Sequence, residues 1–211
     1  MRKKQRVNHL ELKCLLVVAL AACGLAVARP ARAAINVPAI ATTDPSNEPG
    51  LKLTIQSQAG GAPDVLVTRL AALRVPEDAP ASPFVPPGPF KAVWEGVLTQ
   101  RIKGDFNFLA QGNGAIKVTI ADQPALDISG DDLANKPGPV VHLKKGKNPI
   151  RIEYTSPKDG AAWVRVYWSA KEFMPEPVPP MILSHDVSDQ PLRLQQRLRE
   201  GRELVANLRC L

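Results

Sequence analysis

The sequence predicts an all-β domain, an antiparallel sandwich or barrel, with an N-terminal signal helix and a C-terminal amphipathic helix. Three observations predict this class. Short segments that alternate apolar and polar residues recur between residues 51 and 168. Turns rich in Gly, Pro and Asn separate these segments. Hydrophobic residues make up 45% of the 211 residues, which is enough to bury a core.

The first 33 residues are predicted to be a secretory signal peptide. A basic start (residues 2–6) precedes an uncharged apolar stretch (14–28), which is shorter than the ~20 residues of a membrane-spanning helix. A small-x-small site predicts cleavage after Ala33, and a lipobox-like sequence predicts the alternative cut before Cys23, which would then be lipidated. The sequence therefore predicts export to the periplasm or cell surface, with membrane contact only through the signal or this lipid anchor.

The positive charge does not indicate a nucleic-acid-binding protein. The net charge is +7, but five Lys or Arg residues lie in the first 13 positions, and four more lie between residues 192 and 202. The segment between them is close to balanced and has no basic stripe with interleaved aromatic residues. Nucleic acid is therefore not an expected partner.

The first half of the chain begins with a linker and two apolar segments. Residues 34–50 have a linker's composition, and the β-domain is predicted over 51–174. Residues 51–57 alternate as a half-buried strand should, whereas 64–73 is compatible with a strand or a short helix. Residues 76–89 contain six prolines and are predicted to form an irregular loop.

The second half of the β-domain shows the clearest strand pattern. Six strands are predicted over 90–99, 104–110, 115–121, 139–143, 148–154 and 162–168. Residues 111–114 (Gln-Gly-Asn-Gly) are predicted to form a hairpin turn, because Asn and Gly tolerate positive φ. Asp122 and Gln123 are predicted to form another turn.

After residue 174 the pattern changes twice. Residues 175–190 are predicted to be a stiff, Pro-rich linker. Residues 191–208 have a helical pattern, in which apolar residues recur three, four and seven positions apart: Leu194, Leu198, Val205 and Leu208.

Several segments occur in an order that resembles one β-domain family. They are 90–96, 104–108, 116–120, 143–154, 164–169 and 177–183. Together they make the stretch from Leu51 to His185 resemble the protective-antigen-type, or PA-fourteen, β-barrel domain. We expect five aromatic residues to be structural core anchors between its facing sheets: Trp94, Phe106, Phe108, Tyr154 and Trp168. We expect Gly96, Gly104 and Gly146 at turns or bulges.

The resemblance also bears on ligand binding, since many members of this family bind carbohydrate. In sugar-binding adhesin members, two adjacent Asp residues in the loop after the Phe-x-Phe strand hold calcium. The matching loop here is 111–114, which has no acidic residue, and Asn113 is a poor substitute for a carboxylate pair. Asp131 and Asp132 lie in a different loop, where a solvated turn is the ordinary role. Family resemblance therefore does not imply calcium-dependent sugar binding here.

The C-terminal segment resembles the first helix of a c-type cytochrome domain. In such a domain this helix leads directly into the haem motif C-x-x-C-H. The segment from Gly201 to Cys210 resembles it, and Cys210 would be the first Cys of the motif. The resemblance implies a chain cut off at the start of a cytochrome domain (residues 191–211), as in planctomycete-type envelope cytochrome proteins. The alternative is a plain amphipathic helix with an incidental Cys.

No pattern in the sequence predicts an active site. The motifs HExxH, GxSxG, P-loop and CxxC are absent, and the spacing of the acidic residues selects no carboxylate pair for glycoside hydrolysis. His142 is expected to be a satisfied strand residue, and His185 is placed in the linker. No enzymatic activity is therefore predicted.

The function predicted from the sequence is that of a non-catalytic exported β-domain. It would act as an accessory or interaction module of a c-type cytochrome, with haem binding and electron transfer in the longer protein. The alternative is a carbohydrate-binding module of a secreted protein. No cofactor or metal is predicted within residues 1–211, and the expected partners are envelope glycans or other envelope proteins.

Overall fold

The computed structural model describes residues 46–133 and 136–208. The predicted signal peptide, Cys23 and Cys210 lie outside the described residues, and the interpretations that depend on them stay predictions. No helix in the described ranges is long and apolar enough to cross a membrane.

The described residues form two antiparallel sheets, of eight and five strands, and a C-terminal helix. In chain order the elements are β1 (Asn47–Pro49), β2 (Leu51–Ser57), β3 (Asp64–Thr68), β4 (Ala72–Val75), β5 (Phe90–Gln100), β6 (Gly104–Gly112), β7 (Gly114–Ile120), β8 (Gln123–Gly130), β9 (Val140–Leu143), β10 (Gly146–Thr155), β11 (Ala162–Ala170), β12 (Phe173–Pro177), a 3-10 turn (Pro180–Ile182), β13 (Leu183–Asp186) and α1 (Gln190–Asn207). The predicted all-β antiparallel sandwich is confirmed.

The larger sheet is built around β5. Its order is β1–β13–β5–β10–β7–β8, and β2 pairs with β5 and β3. One edge of β5 pairs with β10 along its whole length, whereas the other edge is shared by β2 and β13. Gly96 lies in the middle of β5, where a Cβ would be 2.4 Å from the Ser184 carbonyl oxygen and 2.6 Å from Leu51 Cδ2. Glycine is needed at this position for the close approach of β13, not for a turn.

The five expected aromatic anchors are all buried between the sheets. Strand alternation places Trp94 and Tyr154 on the inner face of the larger sheet, and Phe106, Phe108 and Trp168 on that of the smaller one. The rings of Phe106 and Trp168 are stacked, with centroids 4.9 Å apart. Burial of this aromatic surface contributes to the domain's stability together with the aliphatic core around it.

The predicted hairpin at residues 111–114 is wrong. Strand β6 belongs to the smaller sheet, whose order is β12–β11–β6–β9 with β4 beside β11, whereas β7 belongs to the larger one. Positive φ at Gly112 (136°) and Gly114 (89°) carries the chain from one sheet to the other. Glycine and Asn allow a tight turn in either case, and the choice of partner strand is set by distant residues. The turn at Asp122 is confirmed, since β7 and β8 form a hairpin with positive φ at Ala121 and Asp122.

The predicted Pro-rich linker over 175–190 is also wrong. Strand β12 pairs with β11, and β13 pairs with both β1 and β5. Val178, Leu183 and His185 are buried. Proline favours extended backbone and is tolerated at a sheet edge such as β12, where its missing N–H costs no ladder bond. Strand β1 likewise lies inside the predicted linker 34–50, so the β-domain is longer at both ends than predicted.

Helix α1 matches the predicted helix but lies with its apolar stripe outward. Leu194, Leu198, Val205 and Leu208 are exposed, and Leu192 is buried. Besides Leu192, charged side chains of the helix contact the domain. Arg199 pairs with both carboxylate oxygens of Asp64, which is fully buried. Arg199 and Arg202 also place their guanidinium groups 5.0 and 4.7 Å from the centre of the Phe84 ring.

Asp189 caps the start of α1, and its removal is expected to loosen the helix. Its carboxylate accepts hydrogen bonds from the Leu192 backbone N–H (3.0 Å) and from Lys52 Nζ (2.7 Å). Burial alone would raise the pKa of Asp189, but these two bonds together hold it below its ordinary value. We expect Asp189→Ala to cost about 1 kcal/mol in urea unfolding at pH 7.

This contribution of Asp189 should depend on pH. Because its folded pKa is lowered, the stabilisation is fully present above its ordinary pKa of 3.8 and is lost as the pH falls through the lowered value. Unfolding curves of wild type and Asp189→Ala should therefore converge in acid. The exposed turn variant Asp159→Ala is the control, and an equal loss in both variants at pH 7 would contradict the capping role.

Candidate functional site

An open cleft of about 370 Å³ lies on the outer face of the smaller sheet, across β4, β11 and β6. Alternation along β11 turns Val164, Val166 and Trp168 inward, and it turns Trp163 and Arg165 outward. The outward residues line the cleft. The cleft is thus a direct product of the strand pattern that builds the core.

Strand register sets the arrangement of the lining side chains. Trp163 lies directly opposite Arg74 of β4. Arg165 lies between Ala72 on β4 and Gln111 on β6. The small side chain of Ala72 leaves space beside Arg165, whereas the large side chains on either side of it form the walls.

Asn113 holds the start of β11 and thereby positions Trp163. Its side-chain Oδ1 accepts a hydrogen bond from the Trp163 backbone N–H (3.0 Å), and its Nδ2 donates to the Ala161 carbonyl oxygen (2.8 Å). Its own backbone N–H donates to the Trp163 carbonyl oxygen at 3.0 Å. The backbone of Trp163 is therefore held on both sides, while its side chain is exposed (43% of the residue's surface). A flat apolar ring is presented to solvent from a rigid strand.

Gln111 is oriented by the hydroxyl of Tyr167. The Tyr167 O–H donates to Gln111 Oε1 at 2.9 Å. The amide nitrogen of Gln111 is the group left to donate to a ligand. This part of the cleft therefore offers hydrogen-bond donors in a set orientation.

The cleft carries positive charge without a carboxylate. Its lining residues include Arg74 and Arg165 and no Asp or Glu. In the described part of the chain, no ion pair joins either arginine to an acidic side chain. Both are exposed.

Residues 111–114, which the sequence resemblance placed at the position of a calcium loop, lie beside this cleft. Gln111 lines the cleft. Both polar atoms of the Asn113 side chain are hydrogen-bonded to the backbone of Ala161 and Trp163, at the start of β11. Within residues 46–133 and 136–208 there is no group of three or more His, Cys, Asp or Glu side chains that could hold a metal ion. In these ranges His142 is exposed and paired with Asp105 at 2.7 Å, and His185 is buried on β13, with its Nδ1 3.3 Å from the Gly50 carbonyl oxygen.

Comparison with known proteins yields structural likeness only. No family model and no curated protein matches the chain. Among solved structures, an anti-sigma factor domain-containing protein from Clostridium clariflavum has a TM-score of 0.57 at 16% identity, over 64% of this chain and 47% of that one. This chain thus spans about half the length of that protein.

Two further solved structures are adhesin domains, and one of them is named as a PA14 domain. The PA14 sugar-binding domain from an RTX adhesin has a TM-score of 0.55 at 13% identity, over 65% of this chain and 98% of that one. The described β-domain has the PA14-type fold. The Epithelial Adhesin 9 A domain from Candida glabrata, in complex with Galβ1-4GlcNAc, has a TM-score of 0.50 at 12% identity, over 69% of this chain and 94% of that one. At these identities the likeness shows the fold alone, and a binding surface must be argued from this PA14-type domain's own residues.

The sequence interpretation missed the residues that line the cleft. It identified Gln111 and Asn113 only as a turn and a weak calcium loop, and it did not single out Trp163 or Arg165. The available signal was the alternation of β11, in which an aromatic residue and an arginine occupy consecutive outward positions. Strand β4 could not have been paired with β11 from local pattern, since the two are separated by more than 80 residues.

Proposed function

We propose that this PA14-type domain is a non-catalytic carbohydrate-binding module of an exported protein, which binds saccharide in the cleft of β4, β11 and β6 without calcium. The observation that carries the proposal is Trp163, an exposed aromatic ring held on a rigid strand among hydrogen-bond donors. The apolar C–H face of a sugar ring stacks on such a ring, because both surfaces leave water. The donors of Gln111 and the arginines can bind the sugar hydroxyl groups.

The lining of the cleft supports binding over hydrolysis. Glycoside hydrolysis ordinarily uses two carboxyl groups on either side of the scissile bond. The cleft is lined instead by arginines, a glutamine and aromatic residues. Cell-envelope glycans are the natural ligands for a domain exported by the predicted signal peptide.

Trp163→Ala is expected to weaken saccharide binding at least about tenfold, because stacking on the ring contributes on the order of 1.4 kcal/mol. Glycan-array screening of the domain, followed by calorimetric titration of the saccharide that binds, measures the effect. Trp163→Phe should keep most of the affinity. Ile102→Ala removes an even more exposed apolar side chain elsewhere on the domain and should change nothing.

Chelation of calcium separates this proposal from the calcium-dependent mode of the sugar-binding relatives. Affinity should be the same with calcium and with excess EDTA. Loss of binding in EDTA, or wild-type affinity in Trp163→Ala, would contradict the proposed site.

The accessory role beside a c-type cytochrome remains a separate proposal. Helix α1 extends to Asn207, as the resemblance to a cytochrome's first helix requires, but Cys210 lies outside the described residues. A haem stain of the full-length protein, expressed with a cytochrome maturation system, tests it. Covalent haem supports the role, and an unstained full-length protein contradicts it.

A further inference from the structure

The two arginines of the cleft are placed to act on one ligand group. Trp163 pairs with Arg74 and Arg165 pairs with Ala72, which makes Arg74 and Arg165 diagonal neighbours on the same face of the sheet. Diagonal neighbours lie roughly 7–8 Å apart, with their Cβ atoms somewhat closer, which is within the combined reach of two long side chains. Both guanidinium groups can therefore converge on an anion that lies over Ala72, beside the ring of Trp163.

In the described residues these two arginines have no acidic partner, unlike Arg151 and Arg199. Arg151, on the outer face of the larger sheet, pairs with both Glu95 and Glu153. Arg199 pairs with Asp64. Arg74 and Arg165 have no such partner in the described residues, and like charges placed this close together repel each other. An anionic ligand would relieve this repulsion.

The chemistry of the groups defines the ligand. Guanidinium binds planar or tetrahedral oxyanions through paired N–H donors. Trp163 adds a surface for the apolar face of a pyranose ring, which a simple inorganic anion would not use. We propose that the cleft selects acidic saccharides, which carry a carboxylate or sulfate group on the sugar ring, over neutral saccharides. This inference rests on the proposed carbohydrate-binding function and specifies its substrate class.

Calorimetric titration with three probes of equal length tests the selectivity. The probes are a galacturonic acid oligomer, a sulfated galactose oligomer and a neutral galactose oligomer. At least one acidic oligomer should bind at least about tenfold more tightly than the neutral one, and the preference should weaken as salt rises. The two acidic probes distinguish carboxylate from sulfate as the recognised group.

Two charge-removing variants locate the selectivity. Arg74→Gln and Arg165→Gln should each lower affinity for the acidic oligomer about tenfold and lower affinity for the neutral oligomer much less, because only the acidic group uses the guanidinium charge. Lys117→Gln, which removes one exposed charge from the larger sheet, is the matched control. Thermal unfolding should be the same in all three variants, because the replaced side chains are exposed.

The outcomes separate this inference from the function on which it rests. Equal affinity for neutral and acidic oligomers, with Trp163→Ala still impaired, overturns the acidic selectivity and leaves carbohydrate binding in place. Absence of binding to any saccharide overturns both. Equally tight binding of polyglutamate, insensitive to Trp163→Ala, shows a general polyanion surface and also overturns the inference.

Discussion

Gly112→Ala is expected to destabilise the domain by about 3 kcal/mol or more, because the sheet crossing at this residue has no room for a side chain. Its φ of 136° is accessible almost only to glycine, and a Cβ there would lie 2.1 Å from the Trp163 carbonyl oxygen. The atoms that would have to move are backbone atoms of the β6–β11 pair. Urea unfolding of the variant measures the loss.

Gly146→Ala provides the matched control for this prediction. Gly146 also has a positive φ, of 93°, but no heavy atom lies within 4 Å of a Cβ built there. It should therefore show only the conformational cost, about 1 kcal/mol. Because residues 112–113 also position Trp163, Gly112→Ala should weaken saccharide binding and Gly146→Ala should not. Equal losses of stability in the two variants would contradict the claim that the sheet crossing at Gly112 has no room for a side chain.

Arg199→Met should release or loosen helix α1 and lower stability by about 3 kcal/mol. Arg199, which is partly exposed, neutralises Asp64, a fully buried carboxylate, and its removal leaves that buried charge without compensation. The variant can keep the helix in place over an unpaired carboxylate, or it can expose Asp64 by moving the helix. Both outcomes lower the free energy of unfolding.

Proteolysis and hydrogen exchange report on the helix directly. In Arg199→Met, trypsin should cleave within residues 190–207 at lower enzyme concentration, and amide exchange there should be faster. Arg197→Met is the control, since Arg197 is exposed on the same helix and pairs with no acidic side chain in the described residues. If Arg199→Met leaves the helix as well protected from proteolysis and amide exchange as in the wild type, the ion pair does not hold the helix in place.

Local patterns predicted the strands well because each strand buries alternate residues. Leu51, Leu53 and Ile55 are buried as that alternation requires, and the aromatic core residues followed from the same rule. Which strands pair with each other was harder to predict from the sequence. The Gly-Asn-Gly sequence at 112–114 has the same local chemistry in a hairpin and in a crossing between sheets, and the bonds that decide between them come from β11.

The ends of the domain show how tertiary contacts override composition. Proline-rich sequence suggested a linker, but residues 183–186 are held in the sheet because Gly96 allows β13 to lie close to β5. The orientation of α1 could not be predicted from the sequence for a related reason. A helical stripe of leucines normally faces the protein. The inward face of this helix instead carries Leu192 and Arg199, which pairs with the buried Asp64.

The candidate site was predicted in part. Resemblance indicated carbohydrate binding as one alternative and directed attention to the loop at 111–114, which lies beside the proposed cleft. The residues that now define the cleft come from three strands distant in sequence, β4, β6 and β11, and their meeting depends on sheet order. Outward-facing residues are not part of the alternating apolar pattern that marks a core, so sequence alone gave no reason to group them.

Nuclear magnetic resonance of the three tryptophan indole N–H groups tests the central claim most directly. Trp94 and Trp168 are buried in the core, and Trp163 is exposed in the cleft. Titration with the saccharide identified on the array should shift the Trp163 resonance in a saturable way, with or without calcium, and leave the Trp94 resonance in place. Saturable binding that leaves Trp163 unshifted would place the saccharide elsewhere and contradict the cleft as the binding site.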